Sequence, residues 1–134
     1  MNYIIKSSKD ACYSEMGLIS PHLGIVFNVL SGYADKLGLP VVITCITKDV
    51  KGRKSETHSD GRAIDISLNG WNKKHQYDII RLLNRLYGEG WGTKAVNSPN
   101  KPRVIIVHGE VPHFHMQVIK ELSLGDLISL IEPS

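Results

Sequence analysis

Two distant segments of this chain alternate apolar residues with chemically active ones, and that alternation constrains what it can fold into. In Ala63-Ile64-Asp65-Ile66-Ser67-Leu68 a β-strand would send Ile64, Ile66 and Leu68 to one face and Ala63, Asp65 and Ser67 to the other. In His113-Phe114-His115-Met116-Gln117-Val118 the same geometry directs Phe114, Met116 and Val118 to a core. His113, His115 and Gln117 then share the opposite side. Asp65 is the only carboxylate on its face, and the turn Ser59-Asp60-Gly61 before that strand leaves His58 at the end of a loop.

His58, Asp65 and one of the two later histidines make three nitrogen and oxygen ligands. With one position left for water, that is the donor set of a catalytic zinc ion, which lowers the pKa of water to make a nucleophile. His113 and His115, roughly 7 Å apart along a strand, can both approach one ion, or one can bind while the other acts on substrate. The rival is a non-haem iron site of two histidines and one carboxylate. That site usually spaces its first histidine and acid more closely, and no oxygenase barrel is visible. His22 and His75 fall on predicted helices without acidic or histidine company and read as surface residues. His108 ends a predicted strand near Glu110, where it could hydrogen-bond a metal ligand.

The two segments resemble the M15 family of zinc peptidases, which includes D-Ala-D-Ala carboxypeptidases, D-Ala-D-Ala dipeptidases and phage L-alanyl-D-glutamate endolysins. That family shares its fold with the Hedgehog signalling domain. Its pattern is Ser-x-His-x-x-Gly-x-Ala-x-Asp, then an acidic residue and a closing His. His58, Gly61, Ala63 and Asp65 match in register, whereas Glu56 occupies the serine position and Ser55 sits one residue earlier. The acid-x-x-His element can fall on Glu110-Val111-Pro112-His113, which makes His113 the ligand. The His-x-His version falls on His113-Phe114-His115, which makes His115 the ligand with His113 beside the substrate. The second alignment is favoured, because the family ligand is commonly followed by apolar, polar and apolar residues, as in His115-Met116-Gln117-Val118.

The resemblance implies one zinc ion on His58, Asp65 and His115, with Glu110 as base and His113 stabilising the tetrahedral oxyanion. A cation often assists such charge, and Lys48, Lys51, Arg53 and Lys54 are the candidates. The implied substrate is a peptidoglycan stem peptide. A short stand-alone chain looks like the endopeptidases that cut between L-Ala and D-Glu. D-Ala-D-Ala carboxypeptidase action is the alternative, and a non-catalytic zinc-containing binding module is the alternative outside enzymes.

Composition excludes several other classes. At 134 residues with 42% hydrophobic residues, the chain reads as one domain able to bury a core without disulfide staples, and as a monomer. A net charge of +3 is mild for a nucleic-acid binder, and the basic residues do not alternate with exposed aromatics. Such a charge suits an anionic polymer such as cell wall. Cys45 lies in an apolar strand, where a reduced buried thiol is expected, and Cys12 suggests no disulfide framework. The start has no basic region followed by a longer apolar one, and no segment approaches the ~20 apolar residues of a membrane span. These features imply a protein kept in the cytoplasm unless something else releases it, and the resemblance to phage endolysins implies that it reaches the wall once a holin opens the membrane.

The periodicities predict an α+β domain, a small antiparallel or mixed sheet with helices packed on one face, and the resemblance implies the Hedgehog and D-Ala-D-Ala peptidase fold. Ser20-Pro21 opens a helix, with an apolar stripe of Leu23, Val26, Phe27, Leu30, Ala34 and Leu37 up to Gly38. A second helix is expected over 72–87, with Tyr77, Ile80, Leu83 and Tyr87 on one side and Gly88 and Gly90 ending it. Strands are expected at 41–46, 63–68, 103–108 and 113–119, and a closing helix at 122–131. Trp71 and Trp91 read as packing residues, Trp91 at the border of the cleft.

Overall fold

A computed structural model describes residues 3–5, 13–46, 61–94 and 101–120. His58, Ser55, Glu56, the basic loop 48–54, Cys12 and the tail 122–131 lie outside the described residues. The elements run β1 (Ile4–Ile5), a short 3-10 helix (Tyr13–Leu18), α1 (Pro21–Leu37), β2 (Val42–Cys45), β3 (Ala63–Ser67), α2 (Lys73–Trp91), β4 (Thr93–Lys94), β5 (Pro102–Arg103), β6 (Ile105–His108) and β7 (His113–Gln117).

Helix α1 starts where the sequence places it. The Ser20 hydroxyl oxygen accepts from the Leu23 amide at 3.3 Å, and Pro21 sits in the first turn, where no donor is needed. At the other end Gly38 adopts a φ of 68°, and the Leu39 amide returns to the Ala34 carbonyl at 2.9 Å. That reversal brings Leu39 against the core in place of Leu37, which is 46% exposed and leaves the expected stripe.

Five strands form one sheet in the order β1-β2-β3-β7-β6, and β4 and β5 form a separate ribbon. β1 runs parallel to β2 while the other neighbours are antiparallel, so the sheet is mixed. Ile64, Ile66, Ile105, Phe114 and Met116 meet Leu23, Phe27 and Leu30 of α1 and Ile79 and Leu83 of α2 in one buried core. Burying side chains of this size contributes roughly 1.5–3 kcal/mol each. Trp71 closes one end, edge-on to Phe114 at 5.0 Å and donating from its indole nitrogen to the Pro40 carbonyl at 2.7 Å. The helices thus cover one face of the sheet in an α+β arrangement. Among the described residues no helix is long and apolar enough to cross a membrane.

Three expectations change. The strand expected over 103–108 is broken at Val104: Arg103 pairs with Thr93 in the ribbon, and β6 begins at Ile105. Asn84 imposes the break, since its side-chain oxygen accepts from the Val104 amide at 2.8 Å and from Ile105 at 3.2 Å. The second helix passes Gly88 and Gly90 and runs to Trp91. Gly88 is buried, and a Cβ there would lie 2.9 Å from the Pro102 carbonyl oxygen, so this glycine admits β5 to the helix surface instead of ending the helix. The cap is Gly92, whose amide reaches the Gly88 carbonyl at 2.9 Å. The buried stripe of α2 is also rotated: Tyr77 is exposed, while Gln76 is buried and its amide donates to the Trp71 carbonyl at 2.9 Å.

A Cβ on Gly92 would meet the Gly88 carbonyl oxygen at 2.4 Å and the Arg103 nitrogen at 2.7 Å, whereas one on Gly90 would meet nothing within 4 Å. Gly92→Ala should therefore cost about 1–3 kcal/mol through overpacking, and Gly90→Ala should be neutral or stabilising by roughly 0.5–1 kcal/mol through helix propensity. Urea denaturation midpoints check both. Equal midpoints for the two variants would contradict the α2–β5 packing described.

Candidate metal centre

β7 lies between β3 and β6, and its register decides which side chains meet. Asp65 pairs with His115 and Ser67 with His113 on one side, while Ile106 pairs with His115 and His108 with His113 on the other. Because Phe114 and Met116 are fully buried against the helices, His113, His115 and Gln117 must emerge on the opposite face, beside Asp65. A register shift between Ile43 and Cys45 brings Cys45, which is buried as expected, opposite Asp65 as well.

Asp65 is 9% exposed, an unusual place for a carboxylate without partners. His115 Nδ1 lies 2.9 Å from its Oδ1, and His113 Nε2 lies 3.5 Å from its Oδ2. The His108 ring centroid is 4.7 Å from that of His115 and 4.8 Å from that of His113. The other nitrogen of each contacting ring is also engaged. His113 Nδ1 faces the Val111 carbonyl oxygen at 2.9 Å, and because a carbonyl only accepts, that nitrogen carries the hydrogen. His115 Nε2 faces the Gln117 side-chain oxygen at 2.7 Å and carries its hydrogen for the same reason.

Both rings then turn their remaining nitrogen toward one buried carboxylate. In a neutral imidazole that nitrogen bears a lone pair, so a cation has to lie between it and the carboxylate oxygen, either a proton or a metal ion. Asp65, His108 and His115 each present a ligand atom within 4.8 Å of the others, a set of two histidines and one carboxylate. Histidine nitrogens and a carboxylate oxygen are donors that a divalent cation takes.

Of the residues expected at the site, Asp65, His113 and His115 come together. His115 makes the shorter contact with Asp65, and its side chain is 12% exposed against 26% for His113, which favours His115 as the ligand. Glu110 is exposed in the turn between β6 and β7, two residues beyond His108. Gly109 shapes that turn with a φ of 102°, and a Cβ there would lie 2.7 Å from His113 Cε1. His58 lies outside the described residues.

His108 stands closer to the centre than its place at a strand end suggested, since its pairing with His113 puts it on the face that carries Asp65. The site's other contributors, Gln117 and Thr93, carried no signal beyond strand alternation for the first and none for the second. His22 is half-buried against Trp91, with centroids 4.2 Å apart, and is not the surface residue expected. Trp91 also stacks on Tyr87 at 5.0 Å, the packing role expected of it.

No family model, curated protein or solved structure matches this chain.

Asp65→Ala should abolish zinc binding, and His115→Ala should strip most of it, while His113→Ala should leave zinc content near that of the unmodified protein. Metal analysis after dialysis checks this, with circular dichroism to confirm folding. Zinc lost only from the His113 variant would reverse the ligand assignment.

Proposed function

We propose that this chain is a zinc-dependent peptidase that hydrolyses an amide bond in the peptidoglycan stem peptide, of the L-alanyl-D-glutamate endopeptidase type. One observation carries the metal part of this reading: a buried carboxylate faced by ring nitrogens whose opposite nitrogens lie against oxygen acceptors. A proton could fill one such gap. Several imidazolium ions around one carboxylate would repel one another, whereas a divalent cation satisfies the cluster at once. The substrate class comes from the resemblance of the His58–Asp65 and Glu110–His115 segments to the M15 peptidases.

In this reading Asp65 and His115 hold the ion with His58. When bound, zinc would polarise the scissile carbonyl and acidify water. Glu110 takes a proton from the attacking water and returns it to the leaving amine as the carbon–nitrogen bond breaks, leaving a carboxyl end and an amino end. Glu110 is exposed in the turn between β6 and β7, two residues beyond His108. His113, its ring oriented by the Val111 carbonyl, would stabilise the oxyanion as an imidazolium, with Nε2 carrying a second hydrogen to donate.

The nearness of His108 favours a second reading. With His58, Asp65, His108 and His115 all as ligands, the coordination sphere would be closed, as in structural zinc sites, and the chain would be a binding module. Digestion of purified Gram-negative peptidoglycan by zinc-loaded protein, with an EDTA-treated control, separates the readings. New L-Ala carboxyl and D-Glu amino ends by mass spectrometry are the expected result. Release of terminal D-Ala would establish a carboxypeptidase instead, and intact wall despite bound zinc would establish the module. Glu110→Ala should keep its zinc and lose about 10²–10⁴-fold in turnover; normal turnover would remove Glu110 from the mechanism.

A further inference from the structure

We infer that Gln117 and Thr93 form a relay that positions His115 to ligate metal, an inference that rests on the metal reading above. His115 and Gln117 are two residues apart on β7 and so share a face, and the glutamine side chain folds back along the strand to bring Oε1 to 2.7 Å from His115 Nε2. The other end of the amide is held too: its nitrogen donates to Thr93 Oγ1 at 2.8 Å. An amide anchored through its nitrogen presents only its oxygen to the imidazole. That oxygen retains the hydrogen on Nε2, leaves the Nδ1 lone pair toward Asp65, and limits rotation of the ring about its attachment.

The anchor is itself well placed. Thr93 follows Gly92, the cap of α2, and pairs with Arg103 in the β4–β5 ribbon. The Gln117 backbone amide donates to the Val104 carbonyl, between β5 and β6, and the Ile119 amide to the Trp91 carbonyl at the end of α2, both at 2.9 Å, so backbone bonds flank the relay. The ligand's orientation is thus referred to the end of a helix and not to a loose side chain. Metal-ligating histidines are commonly held this way by a carboxylate, carbonyl or water, and loss of such a partner costs about 10–100-fold in metal affinity.

The test is zinc affinity by competition with a chelating dye, with thermal unfolding to confirm that each variant is folded. Gln117→Met keeps the side-chain length but removes the acceptor, and its dissociation constant for zinc should rise about 10–100-fold. Gln117→Glu restores an acceptor for the Nε2 hydrogen and should recover affinity close to that of the unmodified protein. Thr93→Val should weaken binding in the same direction by less. Long-range proton–nitrogen correlation spectra of the zinc-loaded protein should show His115 protonated at Nε2, and disordered between tautomers or ring positions in Gln117→Met. If the unmodified protein binds zinc and Asp65→Ala does not, yet Gln117→Met binds as tightly as the unmodified protein, the relay is wrong and the metal site stands. If the unmodified protein binds no zinc, both fall.

Discussion

The antiparallel pairing of β3 with β7 is the constraint on which the rest of this structure depends. Five consecutive pairs, from Ala63 with Gln117 to Ser67 with His113, place Asp65 directly across from His115. The pairing is held by the face that has no chemistry. Ile64, Ile66, Phe114 and Met116 are fully buried, and a slip of one residue would expose all four while driving the carboxylate and both imidazoles into the core. Hydrophobic burial therefore sets the geometry of the polar cluster, and the precision of the candidate site derives from packing on the far side of the sheet.

Electrostatics then limits what that cluster can be. A carboxylate as buried as Asp65 is costly unless its lone pairs are answered, and among the described residues imidazole nitrogens face it. Their outward nitrogens are committed to the Val111 carbonyl and the Gln117 amide, which leaves the inward ones as acceptors facing an acceptor. A cation resolves that conflict. The same hydrogen bonds that create it also hold the ligand rings still, so one set of contacts accounts both for the demand for charge and for the preorganisation of the groups that meet it.

The surroundings of the cluster are built from backbone approaches that only glycine permits. Gly88 and Gly92 let the β4–β5 ribbon lie against the end of α2, which brings Thr93 to Gln117, and Gly109 turns the chain so that His113 packs over it. A register shift in β2 brings Cys45 opposite Asp65, so the face that carries the carboxylate is bounded by a buried thiol on one side and imidazoles on the other. None of these features is a hydrophobic pattern. Each depends on which segments come within contact distance after folding.

Much of the architecture was legible in the amino-acid order because it rests on local rules. Serine, proline and glycine mark the ends of α1, and strict alternation in β3 and β7 separates Ile64, Ile66, Phe114 and Met116 from Asp65, His113, His115 and Gln117. Local rules failed where a distant partner reassigned a residue's role. Gly88 reads as a helix stop and is instead a point of contact with Pro102, and the apparent strand over 103–108 is cut by Asn84 from another element. The sequence by itself determined which residues of β3 and β7 share a face, since that follows from the two-residue period of a strand. Only the tertiary structure decided that His115 stands closer to Asp65 than His113 does, that His108 joins them, and that Gln117 leans on Thr93. Those facts are set by register and side-chain contact between elements far apart in the chain, which no local period encodes.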